Sequence, residues 1–543
     1  MSVSTQTTTL TGHSIVAGRQ VVGNGGTTRG IDPATNAELE PAYTLIDEAQ
    51  LAEATAAAEE AFESFSSLDP ETHATFLERV AENIEAVGPE LVDRASTETG
   101  LPAPRLNGEL ARTTGQLRLF ARAVRQGDHR GVRLEQPLPE RTPLPRPDLR
   151  QRKVPLGPVA VFGASNFPFA FSTAGGDTAS ALAAGCPVVF KAHNAHPGTG
   201  EIVGHAVADA VRESGLHPGV FSLIYGPGAS IGQALVRDPA IKAVGFTGSR
   251  GAGTALMATA AARPEPIPVY AEMSSINPVF VFDGALRGDV DEFARAYATS
   301  LTGSSGQLCT NPGLIFVPAG QAGDAFLAAV ERALADAEGA TMLTPGIAAS
   351  CRAGIDTLRD QAGVEVVAQG REGSTENAPA PVVFASDVPT FGTNPVLQEE
   401  IFGAASLAIR YGTAAELADA ARRMEGQLTA ALFLTEADQA TAAPLLPVLE
   451  RKVGRILANG WPTGVDVGDA MVHGGPFPAT SDSRTTSVGT LAIERFLRPV
   501  AYQNIPGALL PAPVQDDNPW RLNRRVDGNL QLTPVSPAAR PSS

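Results

Sequence analysis

From about residue 154 onward the chain repeats one texture: a short apolar run, a glycine turn, a helix-length stretch, then another apolar run. Val159-Ala160-Val161-Phe162-Gly163 and Pro187-Val188-Val189-Phe190-Lys191 read as buried strands, with 179–184 as the helix between them. Further strands are expected at 220–225 and 243–246, and helices at about 199–214 and 229–237. Alternating strands and helices of this kind build a parallel sheet with helices on its faces. The pattern resumes from Asn277 to about 480, with strands at 279–282, 314–317 and 428–434 and helices at 289–299, 323–337 and 413–424. The fold class is therefore α/β. No internal repeat is visible.

The flanks differ. Residues 13–45 are glycine-rich with short apolar runs, which predicts small strands and tight turns. Residues 47–126 predict several helices: Leu51, Ala54, Ala58 and Phe62 recur at helical spacing, as do Phe76, Val80, Ile84 and Val87, and Pro70-Glu71 suits a helix start. Five prolines within 137–149 predict an extended connector or edge segment. The tail 533–543 is expected to be disordered.

At 543 residues the chain can bury large cores without disulfide staples. Its three cysteines, Cys186, Cys309 and Cys351, are sparse and odd in number, which predicts free thiols in a reducing compartment. No basic segment followed by an apolar run opens the chain, and no apolar stretch approaches the ~20 residues of a membrane span, so a cytoplasmic protein is expected. The net charge of −17 disfavours nucleic acid and anionic membranes as partners.

Several segments carry chemistry. Gly306-Gln307-Leu308-Cys309-Thr310-Asn311-Pro312 places a cysteine between a glycine and a proline, outside any helix interior. Glu272 lies upstream in Val269-Tyr270-Ala271-Glu272-Met273. A thiol nucleophile and a carboxylate base are the minimum for making and hydrolysing a thioester. Taken singly, Cys309 also fits a buried structural thiol and Glu272 a surface carboxylate; Cys186 and Cys351 are read as structural. Asn166, in the loop Phe162-Gly163-Ala164-Ser165-Asn166-Phe167, offers an amide to an oxyanion or serves as a turn residue. Gly245-Phe246-Thr247-Gly248-Ser249-Arg250-Gly251 follows a strand and opens a helix, a place where backbone amides bind phosphate, though its spacing is not the common dinucleotide fingerprint. Lys191 ends a strand where ligands of open sheets bind. His193, His196 and His205 match no zinc spacing, and no metal site is expected.

Together these segments resemble the aldehyde dehydrogenase superfamily over about residues 10–530. Gly163-Ala164-Ser165-Asn166-Phe167-Pro168, Ala174-Gly175-Gly176-Asp177-Thr178-Ala179, Lys191-Ala192-His193, Arg263-Pro264-Glu265-Pro266-Ile267-Pro268 and His473-Gly474-Gly475-Pro476-Phe477-Pro478 look most like the α-ketoglutaric semialdehyde (2,5-dioxopentanoate) dehydrogenases and related NADP-dependent aldehyde enzymes. The resemblance implies Cys309 as nucleophile, Glu272 as deacylation base and Asn166 as oxyanion donor. It places Lys191 on the adenosine ribose or its phosphate and Ser249, in the turn that begins near Gly245, on the pyrophosphate. Glu400 and Phe402 would position the nicotinamide ribose and ring. Asn194 stands where many NAD-preferring members carry a glutamate, so either NADP or NAD is expected. Ser165 replaces a tryptophan common in the family, and Leu308 is larger than many members place before the nucleophile.

The implied reaction is NAD(P)-dependent oxidation of a small-molecule aldehyde to its acid, with α-ketoglutaric semialdehyde as substrate. Arg112 or Arg118, on the stretch 108–118, would meet a distal carboxylate, with Phe167 nearby; a solvated helix face is the other reading of those arginines. A medium- or long-chain aldehyde oxidiser is the alternative, favoured by Phe169 and Phe171. A CoA-acylating enzyme would not need Glu272, and a non-catalytic protein would need neither Glu272 nor Cys309. The implied architecture is a nucleotide-binding domain (1–136 and 156–274), a catalytic domain (275–480), a small β oligomerisation arm (137–155 and 481–505) and a C-terminal extension (506–543). Both main domains would be Rossmann-type, and a homodimer or homotetramer would form.

Overall fold

A computed structural model describes residues 9–533. Two seven-stranded sheets organise the chain. In the first, the strands Val269–Glu272, Ala243–Thr247, Val159–Phe162, Val188–Lys191 and Phe221–Ile224 lie side by side and parallel. The antiparallel pair Ser14–Val16 and Arg19–Val21 closes its edge. Strand order runs outward from Val159–Phe162 in both directions, so the chain reverses course between that strand and its neighbour Ala243–Thr247. Open parallel sheets present a ligand crevice at the carboxyl ends of strands beside such a reversal.

The second sheet runs Glu365–Gln369, Val382–Asp387, Ala405–Tyr411, Leu314–Pro318, Val279–Val281, Gln427–Phe433, Val453–Ala458. All its pairings are parallel except that of the first two strands. Every residue of Val159–Phe162, Val188–Lys191 and Gln427–Phe433 is buried, which is why these strands are dominated by apolar residues, with Lys191, Gln427 and Thr429 as the polar exceptions.

The expected helices form with small boundary shifts. Asp69 accepts hydrogen bonds from Glu71 N and Thr72 N and opens Pro70–Ala86 at its proline. The helix expected at 229–237 divides into a π-turn at Gly228–Gly232 and one α-turn at Gln233–Arg237. Helix Gly176–Ala184 is buried along its whole length between the first sheet and the helical layer, so it shows no polar face; its side chains are mostly small, and the buried Asp177 pairs with Arg495. Phe65, Phe76, Phe120 and Phe190 fill the core between these layers.

A third sheet joins Leu497–Gln503, Leu149–Pro155 and Arg133–Glu135 to the hairpin Arg524–Val526 and Asn529–Gln531. It thus takes in residues 133–135 and part of the C-terminal extension, beyond the expected arm. Strands of three residues leave too short a pattern to read in sequence. The proline-rich stretch is irregular, held by the bridge Leu138 to Arg146. The disorder expected of the tail lies, from residue 534 on, outside the described residues. Among the described residues no helix is long and apolar enough to cross a membrane.

Candidate active site

Glu272 is the last residue of its strand, opposite Thr247 of the neighbouring strand. Its backbone is paired with Thr480, and Met273 N donates to Ala479 O at 2.8 Å. These contacts draw the segment containing His473 against the strand end. His473 Nε2 lies 2.8 Å from Glu272 Oε1 and 3.4 Å from Cys309 Sγ. Ser487 Oγ donates to Glu272 Oε2 at 2.8 Å. Burial works to raise the Glu272 carboxyl, but the His473 imidazole and the Ser487 hydroxyl hold it below the ordinary carboxylate range. Because an ionised carboxylate only accepts, Nε2 of the imidazole carries the shared proton.

Cys309 is half-buried at the cavity wall. Burial pushes its thiol well up, and the neighbouring charge of Glu272 adds to this; Arg112 draws it back. The resting side chain is a neutral thiol with a carboxylate–imidazole pair beside it.

The loop bearing Cys309 is set by backbone geometry. Ser304 and Ser305 adopt left-handed conformations at φ of 53° and 57°, and Gly306 follows at 70°. A Cβ on Gly306 would stand 2.2 Å from the Gly403 carbonyl carbon, so only glycine fits. Asn277 Nδ2 donates to the carbonyls of Cys309 and Asn311, each at 2.9 Å, and pins the residues on either side of Thr310. The Gln307 side chain accepts from Leu343 N at 3.0 Å.

Asn166 Nδ2 donates to Gln307 O at 2.9 Å. One amide proton is thus spent on aiming the side chain at the nucleophile loop, and the second is left for a ligand. The Asn166 loop is itself supported: Glu109 Oε1 accepts from Phe169 N and Ala170 N at 2.8 and 2.9 Å, and Arg105 donates to Asn166 O at 2.8 Å.

A cavity of about 670 Å³ runs from the first sheet to Cys309. Lys191, Asn194, Ser249, Glu400, Phe402 and Glu272 all line it. Lys191 Nζ donates to Asn194 Oδ1 at 3.2 Å, and burial lowers the ammonium to about 8. Ser249 caps helix Arg250–Ala261, whose first-turn amides face the groove. Glu400 is a carboxyl that burial raises to about 8. Gly245 sits back in its strand, where a Cβ would meet Asp177 Cβ at 3.0 Å, and it packs the sheet against a helix without lining the cavity. The groove brings together a buried cation and a helix N-terminus, features that suit a dinucleotide.

A second cavity, of about 310 Å³, is lined by Arg112, Gly115, Val465, Asp466 and Val467. The Arg112 guanidinium lies 5.1 Å from the centre of the Phe171 ring, and that ring is 5.9 Å from the His473 imidazole. Among the described residues no ion pair reaches Arg112, and burial lowers its cation's pKa. Arg118 lies elsewhere: its guanidinium forms a two-pronged pair with Glu85 at 2.5 and 2.7 Å on the exposed face of the helix. Phe167 packs edge-on to Phe171 at 5.3 Å, with Arg105 above it. The tempting histidines are spent on other contacts: His193 and His196 stack 5.4 Å apart, His196 Nε2 bonds to Ala164 O, and His205 faces Glu201.

Residues 21–476 match the model of the aldehyde dehydrogenase family. The chain belongs to the aldehyde dehydrogenase family. It is 50% identical to alpha-ketoglutaric semialdehyde dehydrogenase 2 of Azospirillum brasilense, over 96% of this chain and 100% of that protein. It is 46% identical to alpha-ketoglutaric semialdehyde dehydrogenase of Acinetobacter baylyi, over 96% of this chain and 98% of that one. Among solved structures, the aldehyde dehydrogenase KauB of Pseudomonas aeruginosa superposes with a TM-score of 0.78 at 22% identity, over 91% of this chain and 97% of that chain. Betaine aldehyde dehydrogenase of Staphylococcus aureus, a complex with NAD+, gives 0.78 at 20% identity, over 92% and 98%. At these identities the structural matches establish the fold.

This aldehyde dehydrogenase therefore uses NAD or NADP to oxidise an aldehyde to a carboxylic acid. Four residues escaped the sequence reading: His473, Ser487, Asn277 and Glu109. His473 appeared there only inside a run that suggested a subgroup. A lone histidine before two glycines carries no signal of a partner 201 residues away.

Proposed function

We propose that this aldehyde dehydrogenase oxidises a short semialdehyde bearing a distal carboxylate, with α-ketoglutaric semialdehyde as its substrate. The observation that carries this reading is Arg112: an unpaired, half-buried guanidinium one aromatic ring away from the catalytic imidazole. Glu109 and Asp466 act on this guanidinium only at a distance, and a substrate carboxylate would supply the close contact that neither makes. The names of the two full-length relatives point the same way.

Cys309 Sγ attacks the aldehyde carbon, and its proton passes to the Glu272–His473 pair. The free N–H of Asn166 and the Cys309 backbone N–H meet the oxyanion. A bound NAD or NADP would supply a hydride acceptor, and with the hydride gone the Sγ adduct is a thioester. After the first proton has left the pair for solvent, Glu272 takes a proton from water as it attacks the thioester, and the acid departs as that proton returns to Sγ. Lys191 would hold the adenosine ribose or its phosphate, and the neutral Asn194 beside it would admit a 2′-phosphate. Ser249 would meet the pyrophosphate, and Glu400 and Phe402 would hold the nicotinamide end.

The protein acts in the cytoplasm as a homo-oligomer. Its three free thiols suit a reducing compartment. Strand Leu497–Gln503 ends the third sheet with an edge that no other strand of the described chain pairs, which suits a second copy.

Initial rates with 2,5-dioxopentanoate, succinic semialdehyde and a medium-chain aldehyde, each with NAD and NADP, test the reading. A lead in kcat/KM for the keto-acid semialdehyde is expected. A lead for the medium-chain aldehyde would transfer the assignment to an apolar channel formed by Phe171, Val465, Val467 and Met471.

A further inference from the structure

Cys309, His473 and Glu272 offer one thiol sulfur, one imidazole nitrogen and one carboxylate oxygen, all within 4.8 Å of one another. The three come from segments that share no metal-binding spacing, so sequence could not unite them. From this juxtaposition we infer that the site binds a thiophilic divalent cation, Zn2+ above all, and that the bound ion reversibly inhibits the enzyme.

The ligand set fits that ion. Thiolate, imidazole and carboxylate are the donors of tetrahedral zinc, and this mixture disfavours Mg2+ and Ca2+, which take oxygen. A tetrahedral ion with bonds of about 2.0–2.3 Å holds its donors about 3.4–3.6 Å apart. Sγ and Nε2 already stand 3.4 Å apart, and Nε2 and Oε1, at 2.8 Å, open by about half an ångström when the proton between them is replaced by the metal.

The surroundings hold the donors in place. Ser487 Oγ orients the other Glu272 oxygen at 2.8 Å, and Thr486 Oγ1 accepts from the His473 backbone N–H at 2.8 Å. The fourth coordination position faces the cavity, where water or a small anion completes the tetrahedron.

Charge balances on binding. The thiol gives up its proton to solvent, and the imidazole keeps one proton, moved to Nδ1, so that Nε2 coordinates. Thiolate and carboxylate then neutralise the two charges of the ion, which a pocket flanked by Arg112 requires. Nothing is oxidised or reduced. The ion occupies the nucleophile and the base together, so inhibition competes with the aldehyde.

The test uses the purified full chain. One Zn2+ per chain should bind at micromolar concentration by calorimetry, protect Cys309 from iodoacetamide and abolish activity, and EDTA should restore both activity and alkylation. Co2+ should bind with a thiolate-to-cobalt charge-transfer absorption that Cys309→Ser lacks. His473→Gln and Glu272→Gln should each weaken Zn2+ binding at least about tenfold, read by calorimetry so that lost activity does not confuse the result. Zn2+ that binds without slowing alkylation of the parent enzyme would overturn the inference, and so would equal affinity in Cys309→Ser. The alkylation arm needs no variant to fold, and none of these outcomes bears on aldehyde preference.

Discussion

Cys309 Sγ and His473 Nε2 stand 3.4 Å apart although 164 residues separate them in the chain. The same nitrogen is 2.8 Å from Glu272 Oε1. Cys309 and Glu272 are therefore linked through one imidazole. A thiol that burial and a nearby carboxylate hold in its neutral form needs such a partner if it is to ionise at neutral pH.

Replacing Glu272 with Gln keeps the oxygen that faces His473 and removes the base. Hydrolysis of the thioester should slow by about 10²–10⁴, while a burst of reduced cofactor survives in stopped-flow absorbance. Steady-state turnover at the parent rate would show that another group activates water.

Replacing His473 with Gln removes the group that stabilises the Glu272 carboxylate and that stands 3.4 Å from the Cys309 sulfur, where it could donate to a thiolate. The pH profile of Cys309 alkylation should move to higher pH, with about a tenfold lower rate at neutral pH, equivalent to one pKa unit. An unchanged profile would assign the imidazole a packing role only.

Arg112→Met should raise KM for acid semialdehydes about ten- to a hundredfold, as expected for a lost charge-assisted contact of about 1.5–3 kcal/mol, and leave medium-chain aldehydes unaffected. Arg118→Met serves as the control, because Arg118 is already paired with Glu85. Equal losses for both substrate classes would point to a collapsed channel.

Glu400 keeps its proton up to about pH 8 in the folded chain, whereas an unfolded carboxyl loses it in the ordinary range near pH 4.5. Unfolding thus releases a proton across that window, and the group's contribution to stability declines as pH rises through it. Glu400→Gln has no proton to lose. The Tm of the parent, relative to that of the variant, should fall between about pH 5 and about pH 8 in cofactor-free protein. Parallel Tm curves would mean that Glu400 ionises normally.

Gly306→Ala tests the loop that presents the nucleophile. The residue has φ of 70°, and its Cβ would overlap the Gly403 carbonyl, so Tm should drop by an amount corresponding to about 2–4 kcal/mol. A wild-type Tm would mean that the loop rebuilds at no cost.

Local pattern made the α/β fold legible. Buried strands such as Val159–Phe162 and Val188–Phe190 are unbroken apolar runs, and the turn after Ala243–Thr247 announces itself with glycines. The same locality exposed Cys309 and Glu272, because each sits in a short segment whose neighbours bar a helix interior or end a strand. Arg112 and Arg118 show the limit: both lie on helix Ala103–Gln126, but one turns toward Phe171 and the other toward Glu85, and only the helix's packing decides which faces the cavity.

Sequence by itself determined the parallel α/β class and offered the nucleophile, base and cofactor-binding candidates, since each depends on residues close together along the chain. Tertiary structure alone decided that His473 stands between Cys309 and Glu272, that Asn277 clamps the Cys309 loop and that Arg112 rather than Arg118 lines the cavity beside Val465 and Val467. These are meetings of side chains from distant segments, and their distances are set by how the sheets and helices pack, which no local spacing encodes.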